Sequence, residues 1–252
     1  MSEDTKVALV TGANKGIGRG VAEQLAGLGM AVLVGARDAR RGEDTAAVLR
    51  AGGGDVRAVA LDVTDSAGIA AAAVEIEARY GRLDVLVNNA GITGSGQVSP
   101  AEAYDQVPSS VELGMVRSVF ETNVFGVIAV TQAMLPLLRR SSAPRIVNVS
   151  SHGASLALTS DPDGPFAGLL PSAAYFPSKT ALLALTVQYA NELRKDGFLV
   201  NAAAPGYVDT DSNNHTGFLT VARGAAVVVR LATLGVDGPT GGFFGEEGPV
   251  PW

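Results

Sequence analysis

The stretch VALVTGANKGIGRG, residues 7–20, places a short apolar run directly before a glycine-rich turn and an amphipathic segment. The run predicts a strand covered on both faces, because a half-exposed strand would alternate apolar and polar residues. Gly12, Gly16 and Gly18 allow the backbone to turn tightly and to come close to a ligand. The following helix directs its N-terminus at that turn, where its partial positive charge favours a phosphate group. The stretch therefore predicts a strand, a dinucleotide-binding turn and a helix.

The helix after the turn has one apolar stripe. Ile17, Val21, Leu25 and Leu28 recur at spacings of three and four residues, and Gly29 follows them as a stop signal. The spacing predicts a helix that packs through this stripe and ends near Gly29.

Short β-branched runs alternate with longer alanine-rich segments along the whole chain. The six runs are VALV (7–10), AVLVG (31–35), VRAVAL (56–61), LDVLVN (83–88), RIVNVS (145–150) and FLVNAAA (198–204). Strands that alternate with helices form parallel neighbours through right-handed crossovers. We therefore predict an α/β fold, a single-domain doubly wound parallel sheet (Rossmann fold) with helices on both faces, over residues 1–252. The loops 93–100 and 155–172 would border the ligand crevice at the carboxyl edge of the sheet.

The composition limits the kinds of partner. With 252 residues, 47% of them hydrophobic, the chain can bury a large core in one domain, and its net charge of −6 argues against a nucleic-acid partner. Its first residues, MSEDTK, lack the features of a signal peptide, and no uninterrupted apolar run approaches the roughly 18 residues of a membrane span. Without cysteine there is no thiolate chemistry. We expect a cytoplasmic protein with a small-molecule partner and no membrane.

The end of the second strand should select the cofactor, and two interpretations compete there. Asp38 lies about 20 residues beyond the last glycine of the turn, where an acid can bind the ribose diol of NAD. Arg37 beside it and Lys15 within the turn would instead suit the 2′-phosphate of NADP. We favour NADP(H), because the run VLVGARD leaves Ala36 and then Arg37 as the first side chains able to face the ribose, and Asp38 can cap the next helix.

Tyr175 is the only one of the five tyrosines that has a lysine four positions later, Lys179. On a helix this spacing puts both side chains on one face. A free phenol, with a pKa near 10, is a poor proton donor and base at neutral pH, and a nearby ammonium lowers that pKa. An isolated tyrosine–lysine pair is usually an ordinary helical pair, so its companions decide.

The companions are hydroxyl and amide residues near predicted strand ends. Ser150 and Ser151 end one strand, the segment NNAG (88–91) ends another, and Asn123 lies in a predicted helix between them. Asparagine is unfavourable inside a helix, so Asn123 either locks the helix to a strand or has a functional role. Adjacent strand residues face opposite sides, so only one of the two serines can reach the crevice.

Together these motifs resemble the short-chain dehydrogenase/reductase family, in the family's order from Val7 to about Phe244. They are TGANKGIG (11–18), NNAG (88–91), Asn123, the strand-end serine, the tyrosine–lysine pair and PGYVDT (205–210). The resemblance implies hydride exchange between a nicotinamide and a carbonyl or secondary alcohol. Tyr175 would pass the proton, and Ser151, chosen by analogy with the family's paired serines, would hydrogen-bond the substrate oxygen. Lys179 would bind the nicotinamide ribose and lower the Tyr175 pKa, and Asn123 would hold a water of the proton relay.

The same resemblance implies the residues that bind the cofactor. Thr11 and the glycines of the turn would line the pyrophosphate, Asp62 would meet the adenine, and Asn89 with the backbone of 88–91 would flank the adenosine ribose. Pro205, Gly206, Val208 and Thr210 would meet the nicotinamide end. The full predicted set is Thr11, Gly12, Asn14, Lys15, Gly16, Ile17, Gly18, Arg37, Asp62, Val63, Asn89, Ala90, Gly91, Tyr175, Lys179, Pro205, Gly206, Val208 and Thr210.

Two segments depart from the common family pattern. Tyr175 follows Ser151 by 24 positions, more than is usual, and the surplus at 155–172 is similar to an insertion in the family's carbonyl-reductase branch, as is the ending in Trp252. That branch is NADPH-dependent and often monomeric, so a monomer is preferred over a homo-oligomer, although the intermediate length of the insertion leaves the oligomeric state open. The short lid at 211–220 predicts an open substrate pocket.

Three functions remain at this point. The first is NADPH-dependent reduction of a small or medium ketone or aldehyde, the second is an NAD-dependent secondary-alcohol dehydrogenase, and the third is a non-catalytic nucleotide-sensing protein. The complete set of Ser151, Tyr175, Lys179 and Asn123 argues against the third. His152 and His215 are more often solvated residues than substrate ligands, and no third ligand at workable spacing supports a metal site.

Overall fold

The computed structural model describes residues 5–94 and 105–252, and in these ranges the chain forms one eight-stranded sheet. The strands are β1 (Val7–Thr11), β2 (Ala31–Ala36), β3 (Val56–Ala60), β4 (Val85–Asn88), β5 (Arg145–Val149), β6 (Leu199–Ala203), β7 (Phe243–Gly245) and β8 (Gly248–Pro249). Their order is β3-β2-β1-β4-β5-β6-β7-β8, and all neighbours are parallel except β7 and β8. The predicted parallel, doubly wound sheet is therefore confirmed.

Helices cover the sheet on both faces. They are α1 (Gly16–Gly27), α2 (Ala39–Ala51), α3 (Ser66–Tyr80), α4 (Leu113–Phe120), α5 (Gly126–Leu138), α6 (Leu156–Thr159), α7 (Tyr175–Leu193) and α8 (Val221–Ala232). A π-helical turn, Glu121–Phe125, joins α4 to α5.

Alternate residues of each strand enter two separate cores. Ala8 and Val10 of β1 pack with α1, α2 and α8, whereas Val7 and Leu9 pack with α3, α5 and α7. Both sets are buried, which is why the strands have apolar runs without polar alternation.

The structure differs from the sequence-based expectation at several element ends. Leu28 does not belong to the buried stripe: α1 ends at Gly27, Leu28 caps it, and its side chain is 61% exposed. Gly29 has a φ of 82° and stops the helix as predicted. The strands β7 and β8 were missed because runs of three and two residues carry no periodic signal. The insertion contains the short helix α6, and residues 95–100 of the predicted loop 93–100 lie outside the described residues.

The crevice of this sheet lies where the strand order reverses. β1 pairs with β2 on one side and with β4 on the other, so the chains leaving β1 and β4 diverge at their carboxyl ends. The glycine turn follows β1, and the NNAG segment follows β4. The fold therefore brings the two predicted cofactor segments to one edge.

One described helical stretch, Leu113–Leu138, is long and apolar enough to cross a membrane by length and composition. A core helix of a soluble protein meets the same criterion, and Val130, Met134 and Leu138 of this stretch are fully buried against the sheet.

Candidate active site

The glycine turn has a shape that only glycine fits at two of its positions. Gly12 and Gly16 have φ angles of 62° and 52°, in the left-handed region that side chains disfavour. Gly18 is constrained by space, since a Cβ there would lie 2.4 Å from Asn89 Nδ2 and 2.7 Å from the Gly12 carbonyl oxygen. The turn therefore presents bare backbone at the N-terminus of α1, which suits a pyrophosphate.

Thr11 and Asn89 hold this turn against the end of β4. The Thr11 hydroxyl oxygen accepts hydrogen bonds from the backbone amides of Asn89 (3.0 Å) and Ala90 (2.9 Å). In return, Asn89 Nδ2 donates to the carbonyl oxygens of Thr11 (2.8 Å) and Gly12 (3.1 Å). The side chains of these two predicted cofactor residues are thus engaged with the backbone, where they fix the shape of the turn.

Arg37 and Asp38 at the end of β2 have different environments. Asp38 caps α2: its Oδ1 accepts from the Arg41 amide at 3.1 Å, and its Oδ2 is 3.6 Å from Arg41 Nε. This confirms the predicted capping role. Arg37 is exposed at the edge of the crevice, which leaves its guanidinium accessible to a ligand.

Lys15 occupies the N-cap position of α1 without a side-chain capping hydrogen bond, and its side chain points toward the lid. Its ammonium is 3.6 Å from Asp211 Oδ2, and both side chains are about half exposed. Asn14 faces the other side of the turn, where its carbonyl oxygen accepts a hydrogen bond from Thr45 of α2 at 3.0 Å. The glycine turn is therefore tied both to α2 and to the lid.

Asp62 and Val63 follow β3. Asp62 Oδ1 accepts from the Thr64 amide (3.0 Å) and hydroxyl (2.8 Å), which fixes the turn. Val63 is buried, and a Cβ on Gly126 would come within 2.8 Å of its carbonyl oxygen, so the start of α5 packs closely against this loop. The side chain of Asp62 is partly exposed and can meet a ligand.

The catalytic candidates come from β5 and α7. The Tyr175 phenol lies near enough to the Ser151 side chain for their interaction to lower the pKa of the phenol. Ser150 points away from them: it is buried, and its hydroxyl donates to the Lys179 carbonyl oxygen at 3.2 Å. Ser150 is therefore engaged in the interior, and the choice of Ser151 as the catalytic serine stays a prediction.

The protein environment alters the acidity of both α7 residues. Burial raises the pKa of the Tyr175 phenol, and the interaction with Ser151 acts in the opposite direction. The pKa of Tyr175 is therefore raised overall, whereas the sequence analysis expected Lys179 to lower it. Burial also lowers the pKa of Lys179 to about 8. The Lys179 ammonium is 5.9 Å from the centre of the Tyr175 ring and donates to the Val149 carbonyl oxygen at 2.8 Å.

Asn123 is fully buried in the π-helical turn and joins three elements. Its Oδ1 accepts from the Ile92 amide at 2.9 Å, and its Nδ2 donates to the Ile92 carbonyl oxygen at 2.9 Å and to the Ser178 hydroxyl at 3.0 Å. The Asn123 side chain therefore holds the helix against the segment after β4. This is the structural one of the two roles that the sequence analysis considered for Asn123.

The crevice floor between the turn and Lys179 is also bare backbone. A Cβ on Gly91 would lie 3.1 Å from Asn123 Oδ1 and 3.2 Å from Lys179 Nζ. Gly12, Gly18 and Gly91 are thus the positions where the segments after β1 and β4 pack too closely for a side chain, and we call this edge of the sheet the glycine cradle.

The segment after β6 packs against the glycine turn. Gly206 has a φ of 85°, and Val208 is buried and pairs with Leu219. Thr210 reaches the glycine turn, since a Cβ on Gly16 would lie 3.4 Å from Thr210 Cγ2. Pro205 lies between β6 and Gly206.

Both histidines contact other side chains of the protein. His152 is stacked on Phe166 of the insertion at a ring distance of 6.4 Å; burial lowers its pKa, and the charge of Glu247 acts in the opposite direction. His215 is exposed on the lid, with its ring nitrogens 2.6 Å from Asp209 and 3.1 Å from Asp211. Within 5–94 and 105–252, no group of three potential metal-ligating side chains is found.

Gln106 supports the site and was missed by the sequence analysis. Its Oε1 accepts from the Ser172 hydroxyl (2.7 Å) and the Tyr175 amide (3.3 Å), and its Nε2 donates to the Thr93 carbonyl oxygen (2.6 Å). It therefore fixes the start of α7 to the segment after β4. A single glutamine outside every predicted motif carries no pattern that would have identified it.

Comparison with known proteins identifies the family. A model described as short chain dehydrogenase matches residues 6–217. The chain belongs to the short-chain dehydrogenase family.

Short-chain dehydrogenases similar to this one include several reductases. (−)-Isopiperitenone reductase of Mentha piperita is 34% identical, with 98% of each chain covered. The structure of salutaridine reductase from Papaver somniferum has 33% identity and a TM-score of 0.79, covering 94% of this chain and 99% of the other. The structure of NADPH-bound carbonyl reductase from chicken fatty liver has 28% identity and a TM-score of 0.82, covering 98% and 99%. These likenesses extend over nearly the whole short-chain dehydrogenase.

Proposed function

We propose that the protein reduces a ketone or aldehyde of small or medium size to an alcohol, with NADPH as the hydride donor. The observation that carries the proposal is the grouping of Ser151, Tyr175 and Lys179 at the end of the glycine cradle, where Lys179 Nζ lies 5.9 Å from the centre of the Tyr175 ring and 3.2 Å from the position that a Cβ on Gly91 would take. The similar reductases of ketones and the NADPH-bound carbonyl reductase support this direction and this substrate class.

In the proposed reaction, Ser151 donates a hydrogen bond to the substrate carbonyl oxygen and orients it toward the Tyr175 hydroxyl. Tyr175 then gives its proton to that oxygen as negative charge develops there. The raised pKa of Tyr175 keeps the phenol protonated at neutral pH, the form that reduction requires. Bound NADPH supplies the hydride to the carbonyl carbon, so the carbonyl gains one hydride and one proton.

Lys179 has two proposed tasks. Held by the Val149 carbonyl oxygen, it bounds the crevice next to Gly91, within reach of a ribose hydroxyl. Below its pKa of about 8 the ammonium also stabilises negative charge left on Tyr175 after the proton has moved. Asn123 acts indirectly, because it fixes the segment after β4 and the first turn of α7 in their relative positions.

NADP is favoured over NAD by the charges at the end of β2. Asp38 already caps α2, so binding a ribose diol would compete with its contact to the Arg41 amide. Arg37 is exposed beside it, and Lys15 lies in the glycine turn. A 2′-phosphate would therefore meet Arg37 and no free carboxylate at the end of β2, and Lys15 would reach it only by leaving Asp211.

The test is a pair of measurements on the purified protein in one buffer. Dissociation constants of NADPH and NADH are measured by fluorescence titration, and ketones and aldehydes are screened for NADPH oxidation. Tighter binding of NADPH together with carbonyl reduction is expected. Tighter binding of NADH, with turnover of secondary alcohols, would replace the proposal by the NAD-dependent dehydrogenase. Cofactor binding without turnover of any carbonyl or alcohol would support a nucleotide-sensing protein.

A further inference from the structure

Lys15 and Asp211 link the glycine turn to the lid across the crevice. Their charged groups are 3.6 Å apart, and 52% and 56% of the two side chains is exposed. The contact is supported by the backbone on both sides, because Lys15 occupies the N-cap position of α1 and Asp211 directly follows Thr210, which lies against Gly16. The ammonium proposed to meet a 2′-phosphate is therefore already paired with a carboxylate.

Asp211 also has a second partner that can hold it when Lys15 leaves. Its Oδ1 lies 3.1 Å from His215 Nε2, whereas its Oδ2 faces Lys15. His215 is held in turn by Asp209 at 2.6 Å. Release of Lys15 therefore leaves the Asp211 carboxylate in place on the lid.

We propose that Asp211 is a specificity-determining residue for the cofactor, acting through Lys15. The inference rests on the proposed function, in which Lys15 contacts the 2′-phosphate of NADPH. A 2′-phosphate must take the ammonium from Asp211 and also experiences the repulsion of that carboxylate. NADH carries no such phosphate and leaves the pair intact. Asp211 therefore weakens the binding of NADPH but not of NADH. It reduces the preference for NADPH over NADH that Arg37 and Lys15 create.

The expected effect is modest, because an exposed ion pair between flexible side chains is weak and screened by salt. We expect Asp211→Asn to tighten NADPH binding about two- to fivefold and to leave NADH binding unchanged. The gain should decrease as salt is raised, because screening weakens both the pair and the repulsion.

The experiment measures dissociation constants by calorimetry for two fragments, adenosine 2′,5′-bisphosphate and adenosine 5′-monophosphate, and for NADPH and NADH. Asp209→Asn is the matched control, since it removes a lid carboxylate that contacts His215 but is not paired with Lys15. The double variant Lys15→Met/Asp211→Asn is compared with Lys15→Met alone. We expect Asp211→Asn to tighten only the ligands with a 2′-phosphate, Asp209→Asn to change neither class, and the gain to disappear when Lys15 is replaced.

The outcomes separate this inference from the proposed cofactor. Wild-type protein that prefers NADPH, with Asp211→Asn leaving that affinity unchanged, would overturn the role of Asp211 alone. An equal gain for ligands with and without the phosphate, or a gain that persists without Lys15, would also overturn it. Wild-type protein that prefers NADH would contradict the proposed cofactor, and the role of Asp211 would still stand if the Lys15-dependent gain for the bisphosphate were observed.

Discussion

The hydroxyl of Ser150 donates a hydrogen bond to the backbone carbonyl oxygen of Lys179, 3.2 Å away on α7. This contact turns Ser150 into the interior, and the next residue, Ser151, meets Tyr175 instead. The pair of adjacent serines thus divides into one that fixes α7 to β5 and one that faces the crevice.

The two serines should respond differently to replacement by alanine. Ser151→Ala should lower kcat/KM by roughly 100-fold or more, because the substrate oxygen loses its orienting donor. Ser150→Ala should keep kcat/KM near the wild-type value and lower the free energy of unfolding by about 1 kcal/mol, the usual contribution of one hydrogen bond. Steady-state kinetics and urea unfolding check both. Loss of activity in Ser150→Ala with normal activity in Ser151→Ala would reverse the assignment.

Replacement of the phenol should separate chemistry from binding. Tyr175→Phe keeps the ring but removes the proton donor, so we expect turnover to fall at least about 100-fold. NADPH affinity should stay within a few-fold of wild type, because the hydroxyl contributes little to cofactor binding. Single-turnover NADPH oxidation and fluorescence titration measure the two quantities. Retained turnover would assign the proton to another group.

Lys179 should make the stability of the fold depend on alkaline pH. Its pKa is about 8 in the fold and near 10.4 in an unfolded chain, so between these values the unfolded state binds more protons. The free energy of unfolding should therefore rise with pH in this window, by up to about 1.4 kcal/mol per pH unit from this group. Urea unfolding of the wild type and of Lys179→Met, at pH 7.5 and 9.5, checks it. Equal pH dependence in both proteins would contradict a lowered Lys179 pKa.

Arg37 should discriminate between the two cofactors. Arg37→Ala should weaken NADPH binding roughly 10- to 100-fold, the loss expected for hydrogen bonds to a charged group, and should change NADH binding little. Arg194→Ala is the matched control, because it removes an exposed guanidinium that follows α7, away from the crevice. Fluorescence titration of both cofactors provides the comparison. An equal loss for NADPH and NADH would make Arg37 a structural residue.

Asn123 should affect stability as well as activity. Asn123→Ala would leave the part-buried amide and carbonyl of Ile92 without their side-chain partner, which costs up to about 1–3 kcal/mol for each group that water does not reach. We expect a lower midpoint of urea unfolding and a reduced kcat, because the segment after β4 is no longer fixed to α7. Unchanged stability with reduced kcat would restrict Asn123 to the proton relay.

The sheet could be predicted from the sequence because a core covers each of its faces. Strands between two cores have uninterrupted apolar runs in the sequence. The central strands bury both faces, so apolar runs such as VALV indicate them without knowledge of the neighbours. Leu28 shows the limit of that reasoning: it continues the stripe of α1 in spacing, but Leu28 follows the last helical residue and turns outward. Short edge strands such as β8 form only because β7 provides partners.

The candidate site was predictable in its residue types but not in its internal contacts. The motif identifies Ser151, Tyr175 and Lys179, yet the direction of the Tyr175 pKa depends on how much protein surrounds the phenol. The pairing of Lys15 with Asp211 joins residues 196 positions apart and follows only from the fold. Asn89 and Thr11 are similar, because their motif positions suggest ligand contact whereas their side chains bind backbone.

The hydrogen bonds between Asn89 and the glycine turn have a consequence for folding during biosynthesis. A ribosome releases β1, α1 and the whole turn long before it has made β4, which supplies the amides and the side chain that fix the turn. The nascent chain therefore contains the whole glycine turn before the hydrogen bonds that fix the shape of this turn can form. We expect a ligand of this turn to stabilise the chain only after β1 and β4 have paired.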